Sequence, residues 1–227
     1  YWHGVFGGIY LHHLRKAVYE HLINAEKIID KLEYGHDKTR VNAGKLDSLK
    51  ENDGRVIIED KNFFICVDAL NGAVVRELDY KPASLNLINT LSRRKEEYHA
   101  LVHDGVKKAD PRIKKGIFYD KYFRSSLVDH FIDKDLDVTS FERCNYSDLG
   151  CFADGAYDVE IKGNTIVATR KGKVGENTFN VTKKIKIAQG NSVEASYILK
   201  NQGGALLNNY FGTEFNMILP WADDGRY

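Results

Sequence analysis

A mainly β fold, with one amphipathic helix at its N-terminal end and an antiparallel β-sandwich after it, is what the sequence predicts. Two observations carry this. The apolar period changes from that of a helix to that of a strand between about residues 33 and 55, and the later strand-like runs follow one another through short turns with no helix between them. The 227 residues, 43% of them hydrophobic, suffice to fill a core of that size.

Taken in order, the chain opens on Tyr1-Trp2-His3-Gly4-Val5-Phe6-Gly7-Gly8, without an initiator Met. So many aromatic, His and Gly residues belong inside a site, and the expectation is that the chain begins part-way through a larger enzyme. From Ile9 to about Glu33, Leu14, Val18, Leu22, Ala25, Ile29 and Leu32 recur at steps of three and four, the stripe of a long helix. Gly7-Gly8 leave its first N–H groups open, and Gly35 supplies its C-terminal stop. One helix cannot cover its own stripe, so a partner upstream is expected.

His36 to Gly54 is polar and turn-rich and reads as a linker, with a short helical turn near Leu46 to Lys50. Strands are expected at Arg55–Asp60, Phe63–Ala69 and Ala73–Tyr80, the last two joined at Asn71-Gly72, a strong short hairpin signal. Leu85–His99 reads as loop with some helix, its charges Arg93, Arg94, Lys95, Glu96 and Glu97 forming a solvated face. Further strands are expected at Ala156–Lys162, Thr165–Lys171, Thr178–Ile187, Ser192–Lys200 and Asn208–Leu219. The domain reading is residues 1–53 as helical segment and linker, and 54–227 as β-sandwich.

Composition excludes several functions. Lys and Arg number 33 against 32 Asp and Glu, so no net field favours nucleic acid or an anionic membrane. The longest apolar runs, such as Phe63-Phe64-Ile65-Cys66-Val67, are far too short to span a bilayer. Three cysteines, Cys66, Cys144 and Cys151, argue against a disulfide framework and for a reducing, cytoplasmic setting. Their spacing lacks the close pair of a zinc site, and His3, His12 and His13 do not form a metal cluster, so neither metal nor cofactor is expected. The adjacent Asp129-His130 reads as a structural hydrogen bond or turn. Glu77 and Asp79, two apart on one strand face, could be the carboxylate pair of a glycosidase, with solvent-facing charges as the simpler reading. Many tyrosines in an all-β frame serve packing or sugar stacking, and the residues alone leave that choice open.

Four stretches together resemble one family. "YWHGVFGGIYLHHLR" (Tyr1 to Arg15), "GAVVRELDYKPASLNLINTLSRRKEEYH" (Gly72 to His99), "YDKYFRSSLVDHF" (Tyr119 to Phe131) and "FGTEFNMIL" (Phe211 to Leu219) are similar in content and order to the C-terminal half of glycoside hydrolase family 57 enzymes of the 4-α-glucanotransferase and α-amylase type. The resemblance implies an N-terminal incomplete β/α barrel carrying a Glu nucleophile and an Asp acid/base, a helical region, and a galactose mutarotase-like supersandwich. The barrel is not among these residues, so no residue is assigned a catalytic role and the chain alone is expected to be silent. Carried over by position, Trp2 stacks on a glucose ring of an α-1,4-glucan or maltooligosaccharide with His3 close by; the alternative for Trp2 is a plug between helices and barrel. Further partners on this reading are the barrel of the same polypeptide and a second copy of the chain. "WADDGRY" is not an obvious last strand, and the sandwich is expected to continue or to be truncated. The rival functions are a carbohydrate-binding or subunit-contact module, and an aldose epimerase with His130 and Glu214 as acid and base.

Overall fold

The computed structural model describes residues 12–35, 42–45, 54–94, 118–189 and 191–218. Helix α1 (His12–Tyr34) is followed by β1 (Asn42–Lys45), β2 (Arg55–Glu59), β3 (Phe63–Asp68), β4 (Val74–Tyr80), a 3-10 turn at Lys81–Ala83, and β5 (Leu85–Asn86). After residue 118 come β6 (Val128–Asp133), the short helix α2 (Val138–Glu142), β7 (Asp158–Lys162), β8 (Thr165–Val174), β9 (Asn177–Ala188), β10 (Ser192–Asn201) and β11 (Asn209–Glu214). The strands form three antiparallel sheets, ordered β1-β2-β3-β4-β5, β10-β9-β8-β7 and β11-β6.

One apolar core joins these sheets. It takes Val56, Ile58, Ile65, Val67 and Val75 from the first, Ile166, Ala168, Val181, Ile185 and Ile187 from the second, and Phe131 from the third. Alternation explains the orientation: along β9 every second residue is buried, from Asn177 through Phe179, Val181, Lys183, Ile185 to Ile187. Phe131 is the joint, with Phe179, Phe152 and Phe211 ring centroids 4.9, 5.1 and 5.2 Å away.

The exception on β9 is Lys183, fully buried with its ammonium 2.9 Å from the equally buried Asp129. It also donates to the carbonyls of Gly72 (3.0 Å), Ala73 (3.2 Å) and Leu127 (2.7 Å). Four acceptors around three N–H bonds leave nothing unsatisfied, the condition for burying a charge. Those three carbonyl-bearing residues all have positive φ, +76° at Gly72, +45° at Ala73 and +61° at Leu127. Gly72 has a second reason to be glycine, because a Cβ there would lie 2.2 Å from the Ala153 carbonyl oxygen.

The β3–β4 hairpin forms at Asn71-Gly72, and a register shift opposite Cys66 and Val67 leaves Arg76 as the extra residue of a bulge. The bulge resets the alternation. Val75 before it and Leu78 and Tyr80 after it face the core, while Glu77 and Asp79 turn toward α1.

Three expectations are corrected. The span read as a linker contributes β1, which pairs with β2 from Asn42↔Glu59 to Lys45↔Val56, so the sheet reaches upstream of residue 54. Residues 87–94 contain no helix; Leu85–Asn86 instead add a strand to β4, and Arg93 is tied to Asp120 while Arg94 is exposed, the rest of that span (95–99, with Lys95, Glu96 and Glu97) lying outside the described residues. The helix is present and stops at Gly35, but it docks on a different face from its apolar stripe. Among its described side chains Ile23 is the buried one, flanked by polar anchors: Arg15 on Asn89, Asn24 on Ser84, and Asp30 on Lys81. Leu22, Ile29 and Leu32 of the stripe remain exposed, Leu32 at 81%. The tail residues 219–227, including Trp221, and the turn expected near Leu46 to Lys50 lie outside the described residues.

Removing one member of a buried ion pair strands the other, which costs about 3–5 kcal/mol. Lys183→Met is expected to lower the unfolding free energy by about that much in urea denaturation. Adding Asp129→Asn to that variant recovers part of the loss, because no charge is then left in the core. A loss below about 1 kcal/mol in the single variant would show that the pair is replaceable.

Candidate functional site

The residues expected to touch substrate, Trp2 and His3, lie outside the described residues, as does the whole of the opening motif. His13 is exposed on α1. Cys66, Cys144 and Cys151 are free thiols, and among the described residues no group of three His, Cys, Asp or Glu is placed to hold a metal ion.

A cluster of hydrogen-bonded polar side chains forms where β6 meets β11. Asp129 and His130, adjacent on β6, point to opposite faces as strand neighbours must, so they do not bond to each other. Asp129 turns inward to Lys183 and to the Tyr157 hydroxyl at 3.0 Å. His130, 1% exposed, turns to Asp148 and Glu214. Its Nδ1 donates to Asp148 Oδ2 at 2.7 Å, and its Nε2 lies 3.2 Å from Glu214 Oε2. Cross-strand pairing of Gly212 with His130 brings Glu214 alongside. Asp148 is held in turn by the Phe131 backbone N–H, and Glu214 by Asn216 Nδ2 at 2.7 Å and the Tyr122 hydroxyl at 2.7 Å. Tyr146, whose hydroxyl is 3.0 Å from that of Tyr122, stacks on Phe141 at 5.1 Å and forms the aromatic margin.

Electrostatics decide what this cluster can do. Burial opposes a charge on His130, but the hydrogen bonds and charges of Asp148 and Glu214 outweigh it and push the imidazole up to about 9. Burial likewise works against the Glu214 carboxylate, and the donors His130, Tyr122 and Asn216 overcome it and hold its pKa below the ordinary value. Burial and then the Tyr146 and Glu214 contacts raise Tyr122; burial raises Tyr146 to about 12. At neutral pH the site is therefore an imidazolium clamped between two carboxylates, with both ring nitrogens donating. Such a histidine has no lone pair to act as a base. What it does is fix Glu214, Asp148 and two tyrosine hydroxyls as an ordered polar surface beside an aromatic margin. The sequence singles out His130 and Glu214 only as the acid and base of an epimerase, not as an ion pair; Asp148, Tyr122 and Tyr146 carry no local signal, because only the fold brings them together.

Glu77 and Asp79 do share a strand face, but that face is covered by α1, so they are not solvent-facing charges. Asp79 is 2% exposed and its Oδ1 finds no hydrogen-bond partner among the described residues. Burial first, then Glu77 and Glu26, push its pKa up to about 8 against the pull of Lys81. Burial, then Glu26, also raises Glu77. Asp79 is thus a neutral acid under the helix.

A family profile described as "Alpha-amylase/4-alpha-glucanotransferase, C-terminal" matches residues 50–227, and one described as the middle domain of the same enzymes matches residues 1–29. The chain belongs to the alpha-amylase/4-alpha-glucanotransferase C-terminal family. It is 31% identical over 236 residues to the 4-alpha-glucanotransferase of Thermococcus kodakarensis and 33% identical over 236 residues to the alpha-amylase of Pyrococcus abyssi. In both cases 96% of this chain and 34% of the relative are covered, so the chain spans about a third of the length of its relatives. The crystal structure of 4-alpha-glucanotransferase from Thermococcus litoralis superposes with a TM-score of 0.79 at 29% identity, over 96% of this chain and 31% of that one. Both buried clusters, around Lys183 and around His130, fall in the span matched by the C-terminal family, whereas α1 begins in the span matched by the middle domain.

Two pH dependences follow. With its folded pKa raised from 6.5 to about 9, His130 contributes stability that is full below pH 6.5 and is lost as pH rises through about 9. An NMR titration of its ring protons is expected to show a midpoint near 9, brought down in Glu214→Gln; a midpoint near 6.5 would refute the clamp. Asp79 binds its proton more tightly when folded, so stability falls as pH climbs from about 4 toward 8. The groups facing it are Glu77 on β4, Glu26 on α1, Glu59 on β2 and Lys81. Asp79→Asn is expected to raise Tm at pH 8 and above and to flatten its decline between pH 5 and 9, and equal slopes in both proteins would contradict this.

Proposed function

We propose that this chain is part of an α-1,4-glucan-processing enzyme, a 4-α-glucanotransferase or α-amylase of glycoside hydrolase family 57 working by retaining glycosyl transfer. In this reading it provides glucan contacts and structural support, and the catalytic carboxylates lie in a barrel elsewhere in the polypeptide. The observation that carries the proposal is the coverage of 96% of the chain by 4-alpha-glucanotransferase and alpha-amylase relatives, of which it makes up about a third.

The exposed apolar side of α1, with Leu22, Ile28, Ile29 and Leu32, supports a partner there, and the remaining helices of the enzyme are the natural occupant. Residues 1–53, with β1 as their link to the sheet, would form the end of that helical region, and 54–227 the sandwich. A second copy is a further proposed partner: among the described residues, β10 has a strand neighbour only on its β9 side. A cytoplasmic setting is proposed from the sparse, unpaired cysteines. No helix among the described residues is long and apolar enough to cross a membrane.

Trp2 and His3 are proposed as the glucan contact, since an indole packs against the C–H face of a pyranose while the hydroxyls remain free to hydrogen-bond. A pure binding or subunit-contact module is the competing class. It is distinguished by whether this chain restores glucan disproportionation when combined with a separately produced barrel segment. The epimerase reading is disfavoured by the buried, doubly bonded His130.

The direct experiment titrates maltoheptaose against tryptophan fluorescence in the chain and in Trp2→Ala, where Trp2 and Trp221 are the reporters. Saturable quenching that disappears in the variant is the expected result. Quenching that survives it would remove Trp2 from the contact, and no response at millimolar sugar would remove the glucan contact from this part of the enzyme.

A further inference from the structure

Four arginines gather around Asp120 and Phe123, and among the described residues only two of them are ion-paired. Arg93 and Arg124 share Asp120, whose carboxylate is buried between them. Arg76 and Arg94 lie beyond that pair, and both converge on the exposed ring of Phe123, with guanidinium carbons 4.4 and 3.3 Å from its centroid. Neither has a carboxylate within ion-pair distance among the described residues; the polar contact of Arg76 is the hydroxyl of the buried Ser125 at 3.3 Å.

The frame around them is ordered by backbone bonds between three segments. Asp120 N–H donates to the Arg93 carbonyl at 2.9 Å, and Arg124 N–H to the Ser92 hydroxyl at 2.6 Å. Val75 and Ser126 exchange both backbone hydrogen bonds at 2.8 and 3.0 Å. Arg76 itself is the extra residue of the β4 bulge, and bulges re-aim a side chain that regular alternation would send elsewhere. Burial, followed by repulsion from Arg55 and Arg94, depresses the Arg76 pKa against the opposing pull of Asp68. Two cations on one ring from separate segments, neither ion-paired among the described residues, form a place whose electrostatics are completed by an anion.

We propose that Arg76 and Arg94, on either segment beside Phe123, form a binding site for a phosphate monoester. Guanidinium forks match phosphate oxygens in pairs, and a fixed fork loses little freedom on binding. The Ser125 hydroxyl, already at Arg76, limits how that side chain can turn. The half-exposed Phe123 ring offers an apolar surface to whatever carries the phosphate, which favours a sugar phosphate over the free ion. This site is separate from the proposed glucan contact at Trp2 and His3 and does not depend on it.

The test uses calorimetric titration of the whole chain with inorganic phosphate and, separately, with glucose 1-phosphate, at an ionic strength held constant with chloride. Saturable binding of both is expected, tighter for the sugar phosphate. Each of Arg76→Gln and Arg94→Gln should weaken it by about tenfold or more, the loss of one charge-assisted contact. Arg94 is exposed, so its variant is expected to keep the parent Tm, which secures the result if Arg76→Gln is destabilised. Equal affinity for both ligands would leave the ion site intact and remove the sugar arm of the proposal. No saturable heat with either ligand, or binding unchanged in Arg94→Gln, would overturn the site.

Discussion

A single buried ammonium organises this fold. Lys183 lies in the middle of β9, where alternation delivers it to the core, and it has no route to water. Its acceptors come from the β3–β4 turn, from the residue preceding β6 and from Asp129 within β6, so one cation links all three sheets. The residues that accept from it through their carbonyls are also those whose backbones are left-handed, and two of them, Ala73 and Leu127, carry side chains that disfavour that geometry. Left-handed non-glycine residues persist when their surroundings over-determine them, and the ammonium is what does so here. The arrangement is specific as well as stabilising: a slip of β9 by one residue would send Lys183 to solvent and bury Lys184.

The same constraint places the polar cluster. Because Asp129 is drawn to Lys183, His130 must face the other way, and it lands between Glu214 of the paired strand and Asp148 of the following loop. The result is a polar patch whose members satisfy one another rather than a proton shuttle. The patch lies in the span matched by the alpha-amylase/4-alpha-glucanotransferase C-terminal family. Catalytic work asks for pKa values tuned near the working pH and for groups with open valences; a cluster whose members are satisfied by one another offers neither.

Most strands were legible because their signal is local. The alternation in β8, β9 and β10 and the turns between them can be read from windows of ten residues. β6 carries no strand signal because its residues Val128–Asp133 mix two aspartates with an imidazole, and only the tertiary partners of the buried Asp129 and His130 explain them. Lys183 had a signal that could have been used: a charge in phase with Val181 and Ile185 must be either paired or misassigned. The helix was recognised from its apolar stripe but packs through Ile23 and polar anchors, since nothing local indicates which face meets the sheet. Asp79 was misread for the same reason, because the helix that buries it is about fifty residues away in sequence. Of the site, His130 and Glu214 stand out in the sequence only as the acid and base of an epimerase, a role that burial and double hydrogen bonding disfavour, while Asp148, Tyr122 and Tyr146 join them through tertiary structure alone.

The measurement that most directly tests the organising role of Lys183 is hydrogen exchange, comparing the wild-type chain with Lys183→Met under conditions where both are folded. Protection is expected to fall first and furthest at residues 72–75 and 126–129, the two segments whose carbonyls or carboxylate the ammonium holds, while β8 and the far end of β9 exchange as before. Unchanged protection at both segments, with any loss spread evenly over the sheets, would contradict it and reduce Lys183 to a tolerated buried charge.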